Sequence, residues 1–134
     1  LAESKKRLEF LLELNQNGLL LSAHDISEGG LAIALAEMTK NIGIKVDINL
    51  ENTEALKVLF GECLGRFIIS TTKQQAGEIE ALAAAKNIPL LFLGVTGGNN
   101  LQLTLNGLKS LDLNLGKYRP VYEKSIARIM DRNE

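Results

Sequence analysis

The order of hydrophobic and polar positions divides the chain into segments with two different periods. Apolar residues three or four positions apart are typical of helices, whereas short apolar runs and strict alternation are typical of strands. The helical spacing predicts five helices: Ala2–Gln16, Glu28–Lys40, a short one ending at Phe60, Lys73–Lys86 and Val121–Met130. The second pattern predicts six strands: Leu19–Ala23, Ile44–Leu50, Arg66–Thr71, Leu90–Val95, Leu101–Leu105 and a short one at Leu111–Leu115.

Polar residues, glycines and prolines between these segments indicate where the elements end. Ser27 is a predicted N-cap of the second helix, and Asn52 or Thr53 of the third. The turn at Gly97–Asn100 predicts a hairpin between the strands on either side of it. Pro120 is expected near the start of the last helix, where proline is tolerated. The element order predicts an α/β (mixed α+β) fold, with one mixed sheet covered by helices.

Length and composition indicate one domain, residues 1–134, with an aliphatic core. Hydrophobic residues make up 46% of the 134 positions and aromatic residues only 4%, which is enough for a single core. The 15 basic and 16 acidic residues give a net charge of −1, without the basic excess of a nucleic-acid-binding surface. No apolar run approaches the ~20 residues of a membrane span. We therefore expect neither nucleic acid nor a membrane as a partner.

The single cysteine, Cys63, excludes an internal disulfide and a cysteine-built zinc site. A reducing, cytoplasmic setting is expected, with Cys63 as a small apolar filler. The chain starts at Leu1, directly within a helical pattern, rather than at methionine. We therefore expect a fragment of a larger multidomain protein.

The stretch SAHDISEGGL, residues 22–31, concentrates polar chemistry between a predicted strand and a predicted helix. It contains the only histidine, His24, followed by Asp25, Ser27 and the pair Gly29–Gly30. Backbone N–H groups at the start of a helix are unsatisfied and bind anions such as phosphate. Asp25 offers a hard oxygen ligand for Mg²⁺, Ser27 offers a hydroxyl, and the glycines allow close approach to the backbone.

Two interpretations of this turn stay open on the residues alone. In the first, the turn holds Mg²⁺ and a phosphate group. In the second, Ser27 only caps the helix, which stabilises it by about 1 kcal/mol, the glycines allow close helix–sheet packing, and His24 and Asp25 bond a neighbouring loop. A metal-hydrolase centre is excluded, because it needs several converging imidazoles or carboxylates and the chain has one histidine.

A second polar cluster, Glu62-Cys63-Leu64-Gly65-Arg66, precedes a predicted buried strand. The preferred interpretation is a loop with an ion pair between Glu62 and Arg66 on the surface, which contributes little to stability. The alternative is a loop whose Glu62 and Arg66 contact substrate.

Residues 23–38, AHDISEGGLAIALAEM, closely resemble a motif of the phosphoribosylformylglycinamidine synthase family. The motif belongs to the C-terminal domain of the synthetase subunit. Gly61-Glu62 with Gly65–Ser70, and then Leu93–Gly98, match further motifs in the same order. The wider superfamily is that of aminoimidazole ribonucleotide synthetase, and the resemblance implies the fold of that enzyme's C-terminal domain.

The resemblance implies that the parent protein is an ATP-dependent ligase of purine biosynthesis. Such a ligase converts formylglycinamide ribonucleotide, ATP and glutamine to formylglycinamidine ribonucleotide. The implied cofactors are Mg²⁺ and ATP or ADP, and the implied partners are the other domains of the synthetase chain and a glutaminase subunit or domain.

Carried over to this chain, the pattern of the family's long form makes Asp25 a Mg²⁺ ligand and places Ser27 beside the nucleotide. The alternative is the short, multi-subunit form, in which the same residues hold no nucleotide. Gly29 and Gly30 are also predicted to bind the nucleotide, because glycines let a ligand approach the backbone closely. These residues form part of one site, and no residue of the chain is expected to be catalytic. The family's substrate-contacting loop carries Glu-Ser-Gln where this chain has Glu62-Cys63-Leu64, which argues against a substrate role here.

Two other functions are compatible with the sequence. One is a domain of another ATP-dependent member of the superfamily, of the aminoimidazole ribonucleotide synthetase, thiamine monophosphate kinase or selenophosphate synthetase type. The other is a purely structural oligomerisation domain without a ligand.

Overall fold

The computed structural model describes residues 2–39, 41–49, 55–62 and 65–130, apart from the side chains of residues 55 and 125–130. In chain order the elements are α1 (Ala2–Gln16), β1 (Ser22–Asp25), α2 (Gly30–Met38), β2 (Ile44–Ile48), α3 (Ala55–Phe60), β3 (Phe67–Ser70), α4 (Lys73–Ala85), β4 (Gly94–Thr96), β5 (Asn100–Leu105), β6 (Leu108–Asn114) and α5 (Leu115–Met130). The predicted α/β class is confirmed. The predicted caps Asn52 and Thr53 lie outside the described residues.

The chain consists of two compact units, one within residues 1–38 and 54–92 and the other within residues 39–53 and 93–134. The first unit contains α1, β1, α2, α3, β3 and α4. The second contains β2, β4, β5, β6 and α5.

In the first unit, two helices bury apolar stripes in one core beside an antiparallel β1–β3 ladder. Residues four positions apart lie on the same side of a helix, and the core pairs of α1 and α4 have this spacing. The buried cluster consists of Phe10, Leu14, Leu19, Ile79 and Ala83, and Ile69 of β3 packs against it. At the start of α4 the Thr72 side chain accepts a hydrogen bond from the Gln75 N–H, as an N-cap does.

In the second unit, four strands form a mixed sheet in the order β4-β2-β5-β6. β2 and β5 are parallel, and the other two pairs are antiparallel. Alternate residues of a strand point to opposite faces, and the leucines of β5 follow this rule. Leu101, Leu103 and Leu105 are buried, whereas Gln102 and Thr104 between them are half-buried.

The prediction of a mixed sheet is confirmed, but the prediction of a single sheet is corrected. Among the described residues, β1 and β3 form a two-stranded ladder separate from the four-stranded sheet. Alternation along a sequence identifies extended segments, but it does not say which segments exchange hydrogen bonds.

The predicted hairpin across Gly97–Asn100 is wrong. The strand before it is Gly94–Thr96 rather than Leu90–Val95, and β2 lies between β4 and β5. The hairpin is instead β5–β6, joined by Asn106 and Gly107 with φ of 50° and 75°. Positive φ at both central residues is the conformation for which Asn-Gly is preferred. β6 is accordingly longer than the predicted Leu111–Leu115 strand.

The last helix begins earlier than predicted. α5 starts at Leu115, so Pro120 lies inside the helix rather than near its start. The ring of Pro120 removes one backbone N–H donor there.

Candidate functional site

The polar residues of the 22–31 motif begin on strand β1 itself. His24 and Asp25 lie opposite Ile68 and Phe67 of β3, and the Ile26 N–H continues the ladder by donating to the Arg66 carbonyl at 2.9 Å. The predicted strand Leu19–Ala23 is therefore corrected to Ser22–Asp25. This strand is mostly exposed, so it lacks the apolar pattern from which a buried strand is recognised.

His24 is held on both sides of its ring. Its Nδ1 lies 2.6 Å from the Asp25 carbonyl oxygen, and its Nε2 lies 3.2 Å from Oε2 of Glu37 in α2. The imidazole is 29% exposed. These contacts tie β1 to α2, so His24 shapes the turn. Sequence reasoning missed Glu37, because an acidic residue on a helix carries no signal of its partner.

The helix after the turn begins at Gly30 rather than at the predicted Glu28. Gly29 and Gly30 have φ of 78° and 69°, whereas a right-handed helix needs φ near −63°. The Gly30 N–H donates to the Ser27 carbonyl at 3.1 Å. Ser27 therefore closes a turn through its backbone and is not the N-cap, and its side chain is exposed.

The absence of a side chain at Gly30 is explained by packing inside the first unit. A Cβ atom on Gly30 would lie 2.7 Å from the carbonyl carbon of Phe60 and 2.8 Å from the carbonyl oxygen of Leu59. Both atoms belong to the backbone at the end of α3, so they cannot move aside as a flexible side chain can. The close approach is between α2 and α3, not between a helix and a sheet as the packing interpretation assumed.

The loop after α3 meets the turn through Glu62. The Gly29 N–H donates to Oε1 of Glu62 at 3.3 Å. Arg66 Nη2 donates to the Gly61 carbonyl at 2.6 Å, while its buried Nε has no partner among the described residues. The predicted Glu62–Arg66 ion pair is therefore wrong within the described residues, because each side chain bonds a backbone group instead. Cys63 and Leu64 lie outside the described residues.

Asp25 and Ser27 carry exposed side-chain oxygen atoms in the turn. The Asp25 carboxylate is 63% exposed, and the described residues contain no group of three or more His, Cys, Asp or Glu side chains able to hold a metal ion. Mg²⁺ commonly takes one or two carboxylates, with phosphate oxygens and waters filling its octahedral shell. The donor set of Asp25 and Ser27 fits a Mg²⁺–phosphate group and does not fit a metal centre built from protein ligands alone.

A concavity in the second unit has a different character. It measures about 420 Å³ and is lined by Asn41, Asn99, Asn114, Leu115, Gly116, Arg119 and Pro120. The Arg119 guanidinium already donates to Glu123 at 3.0 Å and to Asn41 at 3.4 Å. Its charge is thus engaged by the chain itself, so the motif turn stays the stronger candidate.

Comparison with known proteins identifies the family. The family model described as "AIR synthase related protein, C-terminal domain" matches residues 1–106. The chain belongs to this family. The resemblance predicted from residues 23–38 is thereby confirmed.

Curated relatives of this chain are subunits of phosphoribosylformylglycinamidine synthases. Phosphoribosylformylglycinamidine synthase subunit PurL of Zymomonas mobilis is 36% identical over 132 residues, which cover 97% of this chain and 17% of the relative. The subunit of the same name from Methanococcus aeolicus is 33% identical over 126 residues, covering 90% of this chain and 16% of the relative. The chain thus spans about a sixth of the length of these relatives.

Solved structures of T. maritima PurL share the fold. The structure complexed with FGAR matches with a TM-score of 0.74 at 20% identity, covering 84% of this chain and 20% of that chain. The structures complexed with ATP and ADP match with TM-scores of 0.74 and 0.68. Among the described residues of our chain, none of the helices combines the length and hydropathy that a membrane crossing requires.

Proposed function

We propose that this chain is the C-terminal-type domain of the synthetase subunit of a phosphoribosylformylglycinamidine synthase. The observation that carries the proposal is the 36% identity, across 97% of the chain, to a protein of that name. The parent protein then converts formylglycinamide ribonucleotide, ATP and glutamine to formylglycinamidine ribonucleotide, a step of purine biosynthesis in the cytoplasm. Residues 1–134 form one domain of that longer chain.

Within the parent enzyme, this domain supplies one wall of a Mg²⁺–nucleotide site and no catalytic residue. Asp25 binds the metal ion, and Ser27 faces the phosphates. The exposure of both side chains supports this assignment, because a ligand can reach them without displacing the core. Bound Mg²⁺ supplies charge neutralisation of the phosphates.

The two glycines serve this site differently. The Gly30 N–H is bonded within the turn, and its missing side chain is required by packing against α3. Gly30 therefore contributes the shape of the turn. Gly29 contributes a backbone N–H group, which donates to Glu62 in this structure and is the kind of group that binds phosphate at a helix start.

The other wall of the site lies on the remaining domains of the synthetase chain, and ammonia comes from a glutaminase subunit or domain. These partners follow from the family, whose curated members are about six times as long as this chain. An isolated domain then lacks ligase activity.

The proposal is tested on the full-length parent protein. Incubation with formylglycinamide ribonucleotide, ATP and glutamine should yield the amidine product with ADP and glutamate, detected by mass spectrometry. Turnover only with the substrate of another superfamily member, such as thiamine monophosphate, would contradict the proposal. If the domain is instead a purely structural oligomerisation domain, the Asp25→Asn variant of the parent should carry as much bound nucleotide as wild type.

A further inference from the structure

One contact joins the motif turn to a carboxylate from a distant part of its own chain. The Gly29 N–H donates to Oε1 of Glu62 at 3.3 Å, although the two residues are 33 positions apart. The other glycine N–H of the turn, that of Gly30, is taken by the Ser27 carbonyl. Gly29 is therefore the glycine of the turn whose N–H group an external anion could reach, and Glu62 occupies it.

The backbone just before Glu62 is held in place by two contacts. Before it, the end of α3 packs so closely on Gly30 that no Cβ atom fits between them. Beside it, the Gly61 carbonyl accepts a 2.6 Å hydrogen bond from the Arg66 guanidinium. Glu62 is thus presented to the turn by a backbone segment that is held in place immediately before it.

A carboxylate oxygen and a phosphate oxygen are the same kind of acceptor for a backbone N–H. Both cannot occupy the Gly29 N–H at once, and two anions side by side repel each other. We propose that Glu62 is an internal competitor of the nucleotide phosphate, which must displace it from Gly29 to bind. Glu62 then sets the affinity of the site. This inference rests on the proposed function, because it needs the turn to bind a nucleotide.

The opposite role is a ligand role, in which Glu62 joins Asp25 around Mg²⁺. The two roles differ in the sign of one measurement. Removing a competitor tightens nucleotide binding, whereas removing a metal ligand weakens it.

The test is calorimetric titration of the full-length parent with MgADP and, separately, with Mg-pyrophosphate. The binding event that Asp25→Asn weakens by about tenfold or more identifies the site. In that binding event, Glu62→Ala should bind about two- to tenfold tighter, the equivalent of one exposed hydrogen bond. Glu62→Gln should also bind tighter, because its neutral amide oxygen is a weaker acceptor and does not repel phosphate. The affinity for Mg-pyrophosphate should rise by the same factor, because Glu62 competes with the phosphate groups and not with the base.

Glu28→Gln is the matched control, since it removes one negative charge from an exposed residue next to Gly29. The gain in nucleotide affinity from Glu28→Gln should be clearly smaller than the gain from Glu62→Gln. Weaker nucleotide binding by the Glu62 variants overturns the inference, and so does a gain in affinity no larger than that of Glu28→Gln. If binding still depends on Asp25 in that case, the proposed function stands. Nucleotide binding that is indifferent to Asp25→Asn contradicts both.

Discussion

Gly30 is the residue at which the geometry of the turn is most tightly constrained. Its φ of 69° lies in the left-handed region, and a Cβ atom would approach the backbone of Leu59 and Phe60 to within 2.7–2.8 Å. Both the strain and the clash oppose a larger residue. We predict that Gly30→Ala lowers the free energy of unfolding by about 2–4 kcal/mol, measured by urea denaturation.

Gly77 offers a matched control for this substitution. It lies in the middle of α4, and a Cβ atom there would meet nothing within 4 Å. Gly77→Ala should raise the free energy of unfolding by about 0.5–1 kcal/mol, because alanine is the better helix former. Equal effects of the two substitutions would show that Gly30 is not constrained by α3.

For individual residues, the sequence predicts the chemical groups of the candidate site better than it predicts which residues contact one another. The residue types of Asp25 and Ser27 indicate oxygen ligands directly. The partners of His24 and Gly29, Glu37 and Glu62, come from other elements. These contacts depend on how the elements pack, and a local sequence pattern does not predict that packing.

The β5–β6 hairpin carries a polar ladder on its exposed face. Asp112 forms an ion pair with Lys109 and accepts hydrogen bonds from Asn100 at 2.8 Å and Gln102 at 3.4 Å. Lys109 is the main cause that holds the pKa of the Asp112 carboxyl below its usual value of 3.8, with Asn100 and Gln102 adding to it. The hairpin is therefore stabilised by the ionised form of this side chain.

A lowered pKa in the folded state fixes the sign of the pH dependence. Stability from Asp112 is present above the unfolded pKa near 3.8 and is lost as the pH falls through the lower folded value. We predict that Asp112→Asn lowers the thermal midpoint at neutral pH by a small amount, and that the difference from wild type vanishes well below pH 3.8.

The control for Asp112 is Asp47→Asn, which removes an exposed carboxylate from β2. If the thermal midpoint of wild type stays above that of Asp112→Asn well below pH 3.8, the ionised Asp112 carboxylate is not the source of the stability. Comparing thermal midpoints by circular dichroism at several pH values distinguishes the outcomes.

The sequence predicts where helices begin and end better than it predicts which strands pair. α1 has the predicted bounds, and α4 starts at the predicted Lys73, because helical periodicity and a cap such as Thr72 are local signals. The hairpin predicted at Gly97–Asn100 is at the wrong glycine turn, although Asn106-Gly107 is the stronger signal. The β1–β3 ladder joins segments far apart in sequence, and no local pattern specifies that pairing.

At the scale of the whole molecule, the chain is interleaved between its two units. It passes from one to the other at residues 38–39, 53–54 and 92–93, so neither unit is a continuous segment. A single domain should then unfold cooperatively.

Two spectroscopic probes test this cooperativity. The chain has no tryptophan and two tyrosines, Tyr118 and Tyr122, both in the second unit. Tyrosine fluorescence therefore reports that unit, and far-ultraviolet circular dichroism reports both. We predict coincident midpoints in urea for the two signals. Separate midpoints would show that the units are independent domains.

We propose that Asp25 belongs to one wall of a Mg²⁺–nucleotide site that the rest of a longer synthetase completes. The most direct test of this claim is titration of the full-length parent with MgADP, for wild type and for Asp25→Asn. We predict one Mg²⁺-dependent binding event that Asp25→Asn weakens by about tenfold or more. Identical affinity and stoichiometry for the two proteins would contradict the claim.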